Sequence, residues 1–188
     1  MALDIGCGSG AYLEMLGQAA RRVVGIEPSK GMLRLAAKRT PAWCQLVRAY
    51  SRSLPVATSA ADLCMSARSL SHESDLHRAV REVARVLRPM SGRWIVADVH
   101  AAHRYCCTTI PAEDKCVPIE TYKRAIDDIV EVARANALVL ESQAVLSVAD
   151  LDWIPPDLAA HGIEGLDDPT PIFYVLAFRR GAAPPRRN

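Results

Sequence analysis

The sequence predicts a doubly wound α/β domain on a mostly parallel sheet. Short apolar runs alternate with stretches of helical spacing, the pattern of parallel strands joined by crossover helices. The first run ends in a glycine-rich turn, Gly6-Cys7-Gly8-Ser9-Gly10, placed between a strand and a helix. The 188 residues, half of them apolar, suit one globular unit, and no repeat or low-complexity linker divides them.

Residues 2–5 form the first predicted strand. Residues 11–20 put Leu13, Leu16 and Ala20 on one helical face. Residues 22–26 are short and β-branched, a second strand. Residues 30–39 are helical, with Met32, Leu33 and Ala36 on one face and Ser29 as N-cap. Residues 44–49 form a third strand, closed by Leu54-Pro55, and residues 61–66 a fourth. Ser74-Asp75 opens a helix with Leu76, Ala79, Val80, Val83 and Leu87 inward, stopped by Pro89. Residues 93–99 make a fifth strand. Residues 119–135 read as one amphipathic helix, with Ile119, Tyr122, Ile126, Ile129 and Ala133 inward and Asn136 in the left-handed position at its end. Residues 138–144 and 173–178 supply two further strands. Residues 100–118 and 149–171 read as long irregular segments of the kind that serve as lids or binding loops. The domain is expected to span residues 1–178. A flexible tail over 179–188 would carry Arg179, Arg180, Arg186 and Arg187.

The net charge of +2 is small, and no stretch gathers Lys and Arg on one face, so no nucleic-acid partner is expected. No apolar run approaches the roughly 18 residues of a membrane span. The six cysteines have no regular spacing and no leader segment precedes them, which reads as a reduced cytoplasmic protein. His100, His103, Cys106, Cys107 and Cys116 are zinc-ligand types in one loop, but their spacing matches no zinc signature. They read as acceptor-pocket lining or incidental loop residues, and no metal is expected. Trp94 reads as core or edge packing, Trp153 as a pocket cap or a loop anchor, and Cys7 as a small packed side chain.

The chemistry centres on the glycine turn. Glycines let the backbone bend sharply and approach a ligand closely, and the following helix points its positive end at the site. Glu27 ends the next strand, 21 residues beyond Gly6, where a carboxylate can accept hydrogen bonds from both ribose hydroxyls of an adenosine.

On these residues the chain resembles the class I S-adenosylmethionine-dependent methyltransferases. Leu3-Asp4-Ile5-Gly6-Cys7-Gly8-Ser9-Gly10 is similar to their first motif, and Gly25-Ile26-Glu27-Pro28-Ser29 with Met32-Leu33 to their second. Leu54-Pro55, Ala61-Asp62-Leu63 and Glu82-Val83-Ala84-Arg85-Val86-Leu87-Arg88-Pro89 resemble the segments around the fourth and fifth strands. The nearest flavour is the ubiquinone/menaquinone-biosynthesis type, which includes many small-molecule enzymes.

The resemblance implies a Rossmann-like seven-stranded sheet with the last strand antiparallel. It implies S-adenosylmethionine as cofactor and a small-molecule acceptor, with oligomeric state unspecified. Asp4 and the turn of Gly6, Cys7, Gly8, Ser9 and Gly10 would cradle the methionine moiety. Glu27 would hold the ribose, Pro28 and Met32 would flank the adenine, and Ala67 with the residues to Leu70 would line the end of strand four.

Three departures stand out. Tyr50 and Ser51 occupy the place where relatives carry an acid facing the adenine amino group, so Tyr50 is expected to stack on the ring instead. Pro89-Met90-Ser91-Gly92 replaces a Pro-Gly-Gly turn. The sequence begins at strand one, so the helices that relatives carry ahead of it are expected to be missing. His72, after strand four, is a candidate base, or else a histidine at a helix entry. The alternatives are a non-catalytic or truncated relative, and a nicotinamide-dependent dehydrogenase. Ala11 in the last glycine position, Asp4 inside strand one and Arg85-Val86-Leu87-Arg88-Pro89 disfavour the dehydrogenase.

Overall fold

The fold was obtained as a computed structural model, which describes residues 1–102, 108–112, 115–150 and 169–182. The elements run β1 (Ala2–Ile5), α1 (Leu13–Ala19), β2 (Val23–Ile26), α2 (Lys30–Arg39), β3 (Gln45–Val47), β4 (Leu63–Ala67), α3 (Leu76–Val86), β5 (Arg93–Val99), β6 (Thr108–Ala112), β7 (Lys115–Ile119), α4 (Ile126–Ala135), β8 (Leu138–Ser147) and β9 (Pro171–Arg180). Seven strands form one sheet in the order β3-β2-β1-β4-β5-β9-β8, and β6 and β7 form a separate hairpin. Strands β1 to β5 are parallel; β9 runs antiparallel to both of its neighbours, as expected.

The chain steps outward from β1 through β2 to β3, then returns to place β4 on the other side of β1. The carboxyl ends of β1 and β4 therefore flank the switch point where open α/β sheets bind ligands. Leu3, Ile5, Val24 and Ile26 pack on one face with Val80 and Val83 of α3 and Ile129 of α4. Ala2, Val23 and Met65 pack on the other with Leu13 and Leu16 of α1. Trp94 is fully buried, stacks on Phe178 at 5.3 Å and donates to the Ser66 hydroxyl at 3.1 Å, so it is core packing. Ser29 caps α2 by accepting from Met32 N at 3.3 Å, and Asp75 caps α3 by accepting from Arg78 N at 2.9 Å.

Four expectations are corrected. The helix expected over 119–135 begins only at Ile126. Tyr122 N donates to Ser71 O at 2.7 Å and the Arg124 guanidinium to Leu70 O at 2.7 Å, which hold residues before Ala125 extended against the sheet end. The helical spacing of Ile119 and Tyr122 is coincidence. The left-handed residue after α4 is Ala137 (φ 57°), because Asn136 instead donates its side-chain amide to Val132 O at 2.9 Å. The segment 100–118 contains the β6–β7 hairpin. Its prolines, Pro111 and Pro118, argue against a central strand but are compatible with a two-stranded ribbon that is all edge. The expected tail loses Arg179 and Arg180 to β9. Arg180 is buried, its Nε donating to Ala84 O at 2.9 Å and Nη1 to Ala137 O at 3.0 Å, while Arg179 pairs with Glu141 at 2.9 Å. A guanidinium fork satisfies carbonyls left open at helix ends, and the apolar stem continues the strand.

Candidate functional site

β1 runs into the glycine turn, where Gly6, Gly8 and Gly10 take φ values of +77°, +53° and +85°. At Gly6 the need for glycine is doubled. Its left-handed backbone penalises a side chain, and an added Cβ would stand 2.3 Å from Ser69 Cβ. Gly6 N and Cys7 N both donate to Ile26 O, at 2.7 and 3.0 Å, binding the turn to the end of β2. Glu27 follows there, 8% exposed. Its carboxylate accepts from Gly8 N at 3.1 Å and Ser29 N at 2.9 Å, clamping the turn to the start of α2.

The remaining predicted cofactor residues ring this clamp. The Met32 methyl lies 3.4 Å from where a Gly8 Cβ would stand. Pro28 accepts from Arg48 Nε at 2.9 Å through its carbonyl, and the Ser9 hydroxyl accepts from Arg39 at 3.4 Å. Cys7 is buried. Burial first, then the Asp4 and Glu27 charges, push its thiol up to about 12, which keeps it protonated and inert. Tyr50 is half-exposed with the Arg52 guanidinium 4.3 Å above its ring. The Ser51 hydroxyl donates to Glu73, a buried carboxylate that also pairs with Arg52 at 3.3 Å and accepts from Asp75 N at 3.0 Å.

Among the described residues, Asp4 stands apart from the other buried polar side chains. It is 1% exposed, and neither carboxylate oxygen has a hydrogen-bond partner. Burial, reinforced by the Glu27 charge, pushes its carboxyl up to about 7. An unpartnered buried carboxylate costs stability and needs an explanation. A cationic or donor group brought beside it by a ligand supplies one. Together, Asp4, the glycine turn and Glu27 fit a ligand carrying an ammonium group at one end and a ribose at the other.

Opposite the turn, β4 ends at Ala67. Arg68 follows in the left-handed region (φ 51°), its N–H donating to Ala97 O at 2.7 Å. Ser69 donates to Ile5 O at 2.8 Å, which joins this segment to the glycine turn. Leu70–His72 form a single 3₁₀ turn. Asp98, 1% exposed at the end of β5, accepts from Ser71 N at 2.9 Å, Ser71 Oγ at 3.0 Å and Val99 N at 2.8 Å, and so pins that turn. His72 Nδ1 lies 3.0 Å from Glu120 O, and since a carbonyl only accepts, Nδ1 carries the proton of that bond. Arg68, Leu70, Ser71, His72 and Asp98, with Tyr122, Lys123, Arg124 and Tyr174, line a pocket at the carboxyl ends of β4 and β5.

Thus the structure brings Asp4, the glycines, Cys7, Ser9, Glu27, Pro28 and Met32 together. Tyr50 and Ser51 stand at the end of the third-strand segment, and Ala67 and His72 lie on the pocket side. Sequence reasoning missed Asp98, Glu73 and Arg124. An acid inside the apolar run of β5 was a usable signal for Asp98; Glu73 and Arg124 act through backbone carbonyls and loop groups that no spacing reveals. The side chains of His103, Cys106, Cys107, Cys116 and Trp153 lie outside the described residues. Among the described residues no group of three or more His, Cys, Asp or Glu is arranged to hold a metal, and no helix is long and apolar enough to cross a membrane.

Residues 3–95 match the methyltransferase domain family. The chain is 35% identical over 88 residues to an uncharacterized methyltransferase of Mycolicibacterium gilvum, a match covering 46% of this chain and 34% of that protein. It is 25% identical over 183 residues to a probable S-adenosylmethionine-dependent methyltransferase of Mycobacterium tuberculosis, covering 84% of this chain and 64% of that one. The fold is similar to a crystal structure of an S-adenosylmethionine-dependent methyltransferase from Mesorhizobium loti (TM-score 0.71, 19% identity, covering 95% of this chain and 90% of that one). The chain spans about a third of the length of several curated relatives that it matches. The motif match over β1 to β5, the strand order and the antiparallel β9 converge: residues 3–95 are a methyltransferase domain, on a fold shared with S-adenosylmethionine-dependent methyltransferases.

Proposed function

We propose that this chain binds S-adenosylmethionine and transfers its methyl group to a small-molecule acceptor. The observation that carries the reading is Asp4, whose two unpartnered oxygens lie buried at the base of a glycine turn that Glu27 clamps. When bound there, the cofactor supplies an electrophilic methyl group on sulfur.

The chain's own residues hold and orient. Asp4 receives the cofactor's ammonium group, which ends the isolation of its carboxylate. The backbone of Gly6, Gly8 and Gly10 lies close against the methionine portion. Glu27 exchanges its bonds to Gly8 N and Ser29 N, in whole or part, for bonds to ribose hydroxyls. Pro28 and Met32 flank the adenine, with Tyr50 at the rim. Ala67 to Leu70 orient the acceptor in the pocket that adjoins the glycine turn through Ser69.

In-line methyl transfer depends mainly on this alignment, which is worth roughly 7–11 kcal/mol of barrier. Where the acceptor is a hydroxyl or an acidic carbon, His72 Nε2 takes the departing proton, with Nδ1 fixed on Glu120 O. An acceptor that is already an anion needs no base.

The test is transfer of label. The purified chain is incubated with methyl-labelled S-adenosylmethionine and a library of small metabolites. Label appearing in an extractable small product supports the reading. Label confined to protein or nucleic acid contradicts the small-molecule acceptor, and no label above a Glu27→Ala control contradicts the activity.

A further inference from the structure

We propose that the pocket at the carboxyl ends of β4 and β5 recognises an anion, so that the acceptor carries a carboxylate or phosphate group. The word acceptor rests on the methyltransferase reading; the anion site does not.

The lining is unbalanced in charge. Among the described residues that line it, Arg68, Lys123 and Arg124 are cations, Lys123 already engaged, and Asp98 is a carboxylate. Asp98 is already spent, holding Ser71 N, Ser71 Oγ and Val99 N on its two oxygens. A cationic ligand would have to displace those bonds. Arg124 is spent as well: it donates to Leu70 O and Glu73 O and lies 5.3 Å over the Tyr122 ring. The neighbouring carboxylates are also committed, Glu73 to Ser51 and Arg52 and Glu120 to the Tyr122 phenol.

That leaves Arg68. Among the described residues no hydrogen bond or ion pair engages its guanidinium, and the side chain lines the pocket. Arg68 also sits at φ 51°, a conformation that disfavours any residue with a β-carbon. Glycine would make this turn without strain. A strained arginine at a ligand-binding corner points to use of the side chain, since such strain persists where function holds it. Its place is fixed from both sides, by its own N–H on Ala97 O and by Ser69 on Ile5 O. The pocket also holds a neutral donor. Burial, with the Asp98 charge, raises the Tyr174 phenol, which keeps its proton. A planar guanidinium and a phenol suit the oxygens of a carboxylate or phosphate.

The test titrates the full chain with malonate and with inorganic phosphate, at constant ionic strength against chloride, with and without S-adenosylhomocysteine. Both anions should bind in the millimolar range. Arg68→Gly, which also relieves the backbone strain and so should fold, should weaken them about fivefold or more. Arg68→Lys should recover most of the loss, and Arg93→Ala, on the far end of β5, should change nothing. S-adenosylhomocysteine affinity should be the same in all four proteins. Anions that bind no better than chloride, or as tightly to Arg68→Gly as to wild type, overturn the proposal and leave the cofactor reading standing. Anions that bind as expected to a chain that does not bind S-adenosylhomocysteine support the anion site and overturn the cofactor reading.

Discussion

Replacing Asp4 with Asn should stabilise the protein at neutral and alkaline pH while damaging the site. In the unfolded chain an aspartate releases its proton near 3.8, whereas buried Asp4 holds its proton up to about 7. Between those values the native state binds one proton more than the unfolded state, so stability falls as pH rises. At about 1.36 kcal/mol per pH unit, an interval of roughly three units costs the wild type about 4 kcal/mol by pH 8. Asparagine does not titrate, so the variant escapes that loss. The assay is urea unfolding of both proteins at pH 5 and pH 8. The stability of Asp4→Asn relative to wild type should grow by about 2–3 kcal/mol between the two, with little change in the denaturant slope. S-adenosylhomocysteine affinity should fall about tenfold in the same variant, since the ammonium loses its anion. A stability gap that does not change with pH would refute the claim that Asp4 is a strained, ligand-seeking carboxylate.

Glu27→Ala removes a charged acceptor worth about 1.5–3 kcal/mol, and calorimetry should show S-adenosylhomocysteine binding weakened at least about tenfold. Gly6→Ala places a methyl 2.3 Å from Ser69 Cβ at a left-handed position, and thermal melts should show a loss of about 2 kcal/mol or more. Cys7, with its thiol near 12, has about one part in ten thousand as thiolate at pH 8. Mass mapping after brief native alkylation should find it and the fully buried Cys64 unmodified.

Much of the fold was legible because β1 to β5 obey local rules. β1 and β2 are buried on both faces, Ser29 and Asp75 cap their helices through their own side chains, and β5 matches its expected bounds. What stayed illegible depended on tertiary partners. Residues 119–125 look helical but are extended, because Ser71 and Leu70 supply backbone partners from across the sheet. Arg180 looks like tail but is a buried β9 residue, because open carbonyls at Ala84 and Ala137 receive its guanidinium.

The candidate site divides in the same way. Asp4, Gly6, Gly8, Gly10 and Glu27 fall within one strand–turn–helix–strand unit at a fixed spacing, so they could be named from the chain alone. The pocket side is assembled by long-range pairs, Asp98 with Ser71 and His72 with Glu120, and spacing carries no trace of them.

The most direct test of the central claim is calorimetric titration of the purified, folded chain with S-adenosylhomocysteine, with NADH titrated alongside. The account predicts micromolar binding of S-adenosylhomocysteine at one site and none of NADH. A folded chain that gives no heat with S-adenosylhomocysteine, or that prefers NADH, would contradict it.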